Sequence, residues 1–191
     1  MERVELFRRI EQARPRFFTR DELAEICDSM DRKEDAAILW FLANTGLRWG
    51  ELQHLEWSDV DLNNRMITIR PKHGWSPKTG IERDIPLNDV AYQTLAKRPR
   101  TRGYVFTSGS RHMLHNHHVR ERLYKTCEEL GIENVNLHTF RHTFCSHLVM
   151  AGVDLPTVAK LAGHTDIKTT MIYSHLAAGH VRQAVGRIGL G

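Results

Sequence analysis

The sequence predicts an α+β fold that is mainly helical and carries one small antiparallel β-sheet on one edge. Apolar residues recur at helical spacing in most segments, whereas residues 65–70 alternate in polarity and are rich in β-branched side chains, and residues 81–87 read as the partner strand. The chain has 191 residues, of which 41% are hydrophobic and 26% charged, as is typical of one globular domain. No apolar run approaches the roughly 18 residues that cross a bilayer, so we expect no membrane span.

The helices are predicted in chain order from their caps. Thr19 and Glu22 form a capping box for the first helix, and Gly46 ends a second helix that runs from about 33 to 45. A short helix follows over about 49–55, and the two strands are joined by a long loop over 71–80. The remaining segments are helices over about 90–97, 116–130, 139–151, 156–162 and 167–173, with a short extended piece at 104–106.

The chain divides into three parts. Residues 1–17 are charge-rich and read as an arm or linker remnant, residues 18–176 form the domain, and residues 177–191 form a C-terminal tail helix. Val181, Val185 and Ile188 recur at helical spacing in that tail, which therefore either packs on its own domain or is exchanged between protomers.

Charge and cysteine content narrow the class of protein. A net charge of +4 permits a polyanionic partner without demonstrating one. Three scattered cysteines predict neither a disulfide framework nor a metal clip, and the N-terminal residues lack a secretory signal, so we expect a cytoplasmic protein. The histidines at 112–118 are irregularly spaced and have no cysteine partner, so no metal site is predicted.

Four segments carry residues that suit phosphate chemistry. Arg48 lies two residues after Gly46 and three before Glu51, and Lys78 lies in the loop between the strands. His138 and Arg141 are three residues apart at a helix N-terminus, where free backbone N–H groups favour an anion. His164 precedes a late tyrosine, Tyr173, by nine residues. Taken singly, each has an ordinary explanation as an ion pair, a solvated loop residue, a helix cap or a core side chain.

Their order and context resemble the tyrosine recombinase (phage integrase) family over nearly the whole chain, from about Phe18 to Leu176. The motifs that carry the resemblance are Thr45-Gly46-Leu47-Arg48-x-x-Glu51-Leu52, Lys78-Thr79-Gly80, His138-x-x-Arg141-His142-Thr143, Leu161-x-Gly163-His164 and Thr170-x-x-Tyr173. Family members usually carry a further N-terminal helical domain that clamps DNA. This chain is therefore expected to be either a fragment or a minimal member.

The resemblance implies a catalytic domain over 18–176 that cuts and rejoins DNA through a 3′-phosphotyrosine, without metal, ATP or other cofactor. Its implied active site is Arg48, Lys78, His138, Arg141, His164 and Tyr173. The two arginines would neutralise phosphate oxygens and lower the pKa of the phenol, and His164 would add a hydrogen bond. Tyr173 would be the nucleophile, His138 its base or proton relay, and Lys78, with Lys72 as the alternative, the general acid. Glu51 would position Arg48 or His138.

The implied partner is double-stranded DNA, bound by a homo-oligomer that is a tetramer on paired sites, with an accessory DNA-bending protein as a further expected partner. Phosphate contacts are expected from a set of basic residues near the cleft. That set is Lys72, Arg83, Arg111, His117, Arg120, Arg122 and Lys125.

Three alternatives stay open at this point. Residues 155–166 resemble a helix-turn-helix, which favours a DNA-binding module without catalysis. The same tyrosine chemistry would also serve a type IB topoisomerase that relaxes supercoils, and a metal-dependent nuclease is the third alternative. Neither the target DNA sequence nor the choice between integration, excision and resolution can be inferred from the residues.

Overall fold

The computed structural model describes residues 14–108 and 112–177. Within these ranges the chain forms eight α-helices and one three-stranded sheet, which confirms the predicted α+β class. The helices are α1 (Arg20–Asp28), α2 (Lys33–Thr45), α3 (Trp49–Gln53), α4 (Asp89–Ala96), α5 (Asn116–Glu129), α6 (Leu137–Met150), α7 (Leu155–Ala162) and α8 (Lys168–Met171). The strands are β1 (Val60–Asp61), β2 (Met66–Ile69) and β3 (Arg83–Pro86), and short 3-10 turns cover Trp57–Asp59 and Ser174–Ala177.

The end of α2 sets the position of the residues that follow it. Gly46 adopts a left-handed conformation with φ +64° and caps the helix through a hydrogen bond from its amide to Leu42. A Cβ at this position would lie 2.3 Å from the Phe144 ring, so glycine is required by both conformation and space. Arg48 therefore begins α3 directly beside the middle of α6.

The sheet is antiparallel in the order β1-β2-β3, with Ile67 paired to Ile85 and Ile69 paired to Arg83. Ile67, Ile69 and Ile85 are buried, as the alternating pattern predicts. Strand β1 was not predicted, because two residues are too few to show a period-two pattern. The predicted extended piece at 104–106 is not a strand and contributes one isolated bridge from Tyr104 to Glu56.

Several helix ends and one motif differ from the sequence prediction. Helix α3 ends at Gln53, and α6 begins at Leu137 because Asn136 caps it by accepting hydrogen bonds from the amides of His138 and Thr139. Helix α8 has four residues, which is too short for the second helix of a helix-turn-helix.

The apolar interior of the described residues consists of two clusters. The larger one joins α1, α2, α4, α5, the sheet and Phe140 of α6. The smaller one lies between α6, α7 and the segment after α8, and it contains Cys145, Val149, Val158, Ala162 and Tyr173. Across the described part of the chain, no helix combines the length and the apolar character that crossing a membrane requires.

Candidate active site

Five of the six predicted catalytic residues line one cavity of about 540 Å³. The lining residues are Arg48, Lys78, Thr79, His138, Arg141, His164, Thr165 and Thr169. They come from the start of α3, the loop between β2 and β3, the first turns of α6, and the segment around α8. Three of these side chains are cationic and none is acidic, so the cavity suits an anion.

Arg48 is held by a carboxylate and by the turn that carries His164. Its backbone amide donates to Glu51 Oε2 at 2.9 Å and its Nη1 donates to Glu51 Oε1 at 3.1 Å. Its Nη2 donates to the carbonyl oxygen of Gly163 at 3.1 Å. Glu51 thus contacts Arg48 rather than His138, and it leaves the guanidinium fixed at the cavity wall.

Arg141 is almost fully buried, with 1% of its surface exposed. Its Nη1 donates to the carbonyl oxygen of Gly46 at 2.7 Å, whereas its Nη2 is buried without a hydrogen-bond partner. Desolvation and the neighbouring Arg48 lower the pKa of Arg141 to about 10, so it remains charged at neutral pH. A buried donor without a partner is costly, and an anion in the cavity would relieve it.

The two cavity histidines are neutral at pH 7. Desolvation, followed by the charges of nearby basic residues, lowers the pKa of His138 to about 4. Desolvation and the charges of Arg141 and Arg48 likewise lower the pKa of His164 to about 4. His164 Nδ1 lies 2.8 Å from Thr170 Oγ1. If the Thr170 hydroxyl donates to Nδ1, Nε2–H of His164 is left as a donor.

The structure separates the two candidate general acids. Lys78 lies on the loop between β2 and β3 and lines the cavity. Lys72 lies at the other end of that loop, where its Nζ donates to the carboxylate of Asp59 and to the carbonyl oxygen of His54. Because the ammonium of Lys72 is held by these two groups, Lys78 is the lysine that faces the cluster of arginines and histidines.

Tyr173 does not line the cavity. It is 1% exposed and packs in the smaller apolar cluster, where its hydroxyl lies 2.6 Å from Nδ1 of His142. Burial and the neighbouring Cys145 raise the pKa of the Tyr173 phenol above its ordinary value, although Arg141 acts in the opposite direction. Arg141 thus lowers this pKa, as expected of its charge, but burial outweighs that contribution and the net shift is upward.

Three of the predicted DNA contacts are paired with acidic side chains within the protein. Arg83 is 6% exposed, and its Nη1 and Nη2 donate to Glu51 at 3.0 and 2.7 Å. Arg122 pairs with the buried carboxylate of Asp35, and Lys72 pairs with Asp59 as described above. Alternation along a strand or helix does not reveal that a basic side chain turns inward towards a buried acid.

The other predicted DNA contacts remain on the surface or lie outside the described residues. His117, Arg120 and Lys125 are exposed on α5, where His117 lies 3.3 Å from Glu121 and Lys125 lies 3.7 Å from Glu129. Arg111 lies outside the described residues.

Two residues with direct contacts to this machinery are absent from the predicted set. His142 bonds the Tyr173 hydroxyl and also stacks edge-on with His138, at 4.7 Å between ring centroids. Its spacing of four residues from His138 places both rings on one face of a helix, and this was the available signal. Cys145 is a buried neighbour of Tyr173 in the smaller apolar cluster, and no sequence feature distinguishes it from an ordinary core cysteine.

Among the described residues, no group of three or more His, Cys, Asp or Glu side chains is placed to hold a metal ion. A larger groove of about 850 Å³ lies between α1, α2 and α4, but it contains none of the predicted catalytic residues.

Sequence comparison identifies a family and several relatives of this chain. The sequence profile of the phage integrase family matches residues 16–180. The chain is 30% identical to the tyrosine recombinase XerC of Thermodesulfovibrio yellowstonii over 91% of its own length and 62% of that protein. The tyrosine recombinase XerA of Pyrococcus horikoshii is 29% identical, over 95% of this chain and 64% of that protein. The chain thus spans less than two thirds of these relatives.

Solved structures show the same fold. The XerA recombinase superimposes with a TM-score of 0.71 and 25% identity, covering 93% of this chain and 66% of that one. With 165 of its 191 residues matched by the family profile, the chain belongs to the phage integrase family.

Proposed function

We propose that this domain is the strand-transfer part of a site-specific tyrosine recombinase, which breaks and rejoins DNA through a phosphotyrosine linkage. One observation carries the proposal: Arg48, Lys78 and Arg141 converge with two neutral histidines on one cavity, and Nη2 of Arg141 is buried there without a partner. A phosphodiester supplies the negative oxygens that this set of donors lacks. The relatives are named tyrosine recombinases, and a phosphodiester is the linkage that DNA recombination breaks and rejoins.

In the proposed reaction, the phenol oxygen of Tyr173 forms a bond to the phosphorus and the bond to the 5′ oxygen breaks. The two guanidinium groups stabilise the charge that builds on the non-bridging oxygens, and His164 adds a hydrogen bond. His138, being neutral, accepts the phenol proton, and Lys78 donates a proton to the leaving 5′ oxygen. Rejoining reverses each transfer, so the phosphate bond is conserved and no nucleotide is consumed.

This chemistry requires Tyr173 to leave its buried position. The hydroxyl must part from His142 and enter the cavity, which begins at Thr165 and Thr169 on the same segment of chain. In this proposal the moving part is the four-residue helix α8 with its flanking turns, which carry the tyrosine at their end. The described conformation is therefore a resting state in this proposal.

The test is covalent capture. The chain is incubated with nicked fragments of genomic DNA, so that cleavage beside a nick releases a short strand and traps the protein on the DNA. Adducts are isolated under denaturing conditions, and the attached DNA is sequenced. We expect adducts from the wild type in EDTA, none from Tyr173→Phe, and wild-type yield from Tyr124→Phe, whose exposed side chain lies on α5.

Each other outcome selects a different function. DNA binding without any adduct would favour a non-catalytic DNA-binding module. Plasmid relaxation by single protomers, without preference among fragments, would favour topoisomerase-like activity. Loss of cleavage in EDTA, with adducts absent, would favour a metal-dependent nuclease.

We extend the proposal to a cytoplasmic assembly of four protomers on two paired DNA sites, with an accessory DNA-bending protein where the sites require one. Residues 178–191, which lie outside the described residues, supply the apolar spacing that suits exchange between protomers. Deleting these residues should leave cleavage of a single site intact and reduce the yield of multi-protomer complexes on DNA. An unchanged yield of multi-protomer complexes would show that the tail is not part of the interface between protomers.

A further inference from the structure

Arg83 lies at the centre of a buried network that connects three parts of the candidate active site. It begins β3, at the end of the loop that carries Lys78, and it is paired across the sheet with Ile69. Its side chain leaves the sheet and enters the interior between α3 and the C-terminal end of α7. It does not line the anion cavity.

The guanidinium of Arg83 uses its donors on two different elements. Nη1 and Nη2 donate to the two oxygens of Glu51, at 3.0 and 2.7 Å, in a fork that an arginine fills and a lysine cannot. Nε donates to the carbonyl oxygen of Leu161, in the last turn of α7, at 3.0 Å. Both Glu51 and Arg83 are buried, with 2% and 6% of their surfaces exposed.

The same contacts reach Arg48 and His164. Glu51, held by Arg83, also binds the amide and Nη1 of Arg48, and Nη2 of Arg48 donates to Gly163. Gly163 has φ +68°, and a Cβ there would lie 2.9 Å from the Arg83 guanidinium. The turn that presents His164 is therefore packed between the two arginines.

From this geometry we propose that Arg83 is a positioning residue, which fixes Arg48 and the Gly163–His164 turn relative to each other so that both can bind one phosphate. The inference rests on the proposed function for its catalytic consequence. It replaces the expectation that Arg83 contacts DNA: all three of its donor nitrogens already bond protein atoms.

The first measurement compares Arg83→Met with Arg65→Met, a matched loss of one arginine that is half exposed and pairs with Asp89 at the sheet surface. A displacement of about 1 Å in a catalytic group can reduce a rate on the order of 100-fold. We expect single-turnover adduct formation on a trapped nicked duplex to fall by about this factor in Arg83→Met and to change little in Arg65→Met. Affinity for duplex DNA and its salt dependence should match the wild type in both.

A pH profile separates positioning from a general structural role. Burial would raise the pKa of Glu51, but the hydrogen bonds and charge of Arg83, with Arg48, hold it below its ordinary value. The charged groups that face Glu51 are Arg48 from its own helix, Arg83 from β3 and Arg141 from α6. Without Arg83 this pKa rises. As the pH is lowered, the adduct rate of Arg83→Met should therefore begin to fall at a higher pH than the adduct rate of the wild type.

A double variant covers the case in which Arg83→Met fails to fold, since that change strands a buried carboxylate. Arg83→Met combined with Glu51→Gln removes the stranded charge, and it should fold and bind DNA as the wild type does while still forming adducts slowly. A wild-type rate in a folded Arg83→Met or double variant would overturn the proposal. So would a salt slope reduced by about one, which marks a lost phosphate contact.

Crystal structures of the wild type and the variant make the inference independent of DNA cleavage. The distance from Arg48 Nη2 to the Gly163 carbonyl oxygen is 3.1 Å here, and it should exceed hydrogen-bond length in the folded variant. An unchanged distance overturns the positioning role even if the wild type proves inactive. If the wild type forms no adduct and the distance changes, the proposed function fails and the positioning role of Arg83 stands.

Discussion

The hydroxyl of Tyr173 lies 2.6 Å from Nδ1 of His142, one residue beyond the buried Arg141 in the sequence. The pair joins the end of the described chain to the middle of α6. The proposed nucleophile is thus bound by the sequence neighbour of an arginine that we propose binds phosphate.

The first prediction concerns this contact. His142→Phe keeps a ring in place but removes the nitrogen that bonds the hydroxyl, so it should destabilise the fold by about 1–3 kcal/mol. Adding Tyr173→Phe removes the stranded hydroxyl and should recover most of that loss. The measurement is a double-mutant cycle by urea unfolding. Strictly additive effects would show that the contact contributes nothing to the resting state.

The second prediction concerns the general acid. Lys78→Ala should reduce cleavage of an ordinary phosphodiester by about 100-fold or more, because the 5′ oxygen then leaves without a proton. Replacing that oxygen with sulfur removes the need for protonation, so the variant should approach the wild-type rate on the sulfur substrate. Lys72→Ala is the control, and its rate should change equally on both substrates. If the sulfur substrate instead restored the rate of Lys72→Ala and not that of Lys78→Ala, Lys72 would be the general acid.

The third prediction concerns the glycine that places Arg48. Gly46→Ala combines left-handed strain with a clash against Phe144, so it should cost about 2–4 kcal/mol in the free energy of unfolding. Gly131→Ala is a matched control, because Gly131 has φ +68° but nothing within 4 Å of the added Cβ. It should cost only the strain of about 1–2 kcal/mol. Equal losses in urea unfolding would show that Phe144 moves aside freely.

The fourth prediction concerns pH. Folding lowers the pKa of His138 and of His164 from an ordinary value near 6.5 to about 4. Between these values the unfolded chain binds more protons than the folded chain, so stability is full above pH 6.5 and falls as the pH drops towards 4. Urea unfolding across this window should show a shallower fall in His164→Asn, whereas exposed His73→Gln should follow the wild type.

The fold was predictable where capping and periodicity act locally. Helix α2 has the predicted limits, because Gly46 ends it, and Ile67 and Ile85 face inward as their alternation requires. Strand β1 and the first turn of α6 were missed, because a two-residue strand and an Asn136 cap leave little periodic signal. One miss is a whole two-residue strand and the other is the boundary of a helix.

The sequence predicted which residues form most of the candidate site, but not how Arg83 and Tyr173 are placed. The resemblance to the tyrosine recombinase family implied Arg48, Lys78, His138, Arg141 and His164, and the structure places these five on one cavity. The sequence could not reveal that Arg83 turns inward, because an arginine on an edge strand has the same sequence pattern whether it meets solvent or a buried carboxylate. Nor could the sequence show that Tyr173 packs away from this cavity, because a motif does not report whether a side chain is buried.

The division of the apolar interior into two clusters has an energetic consequence. Tyr173 belongs to the smaller cluster, whereas α1, α2, α4, α5 and the sheet belong to the larger one. Parts of a protein with separate packing can open at a free energy below that of global unfolding. The segment around Tyr173 can thus undergo sub-global opening, with faster amide hydrogen exchange than the β-sheet, while the scaffold that holds both arginines stays folded.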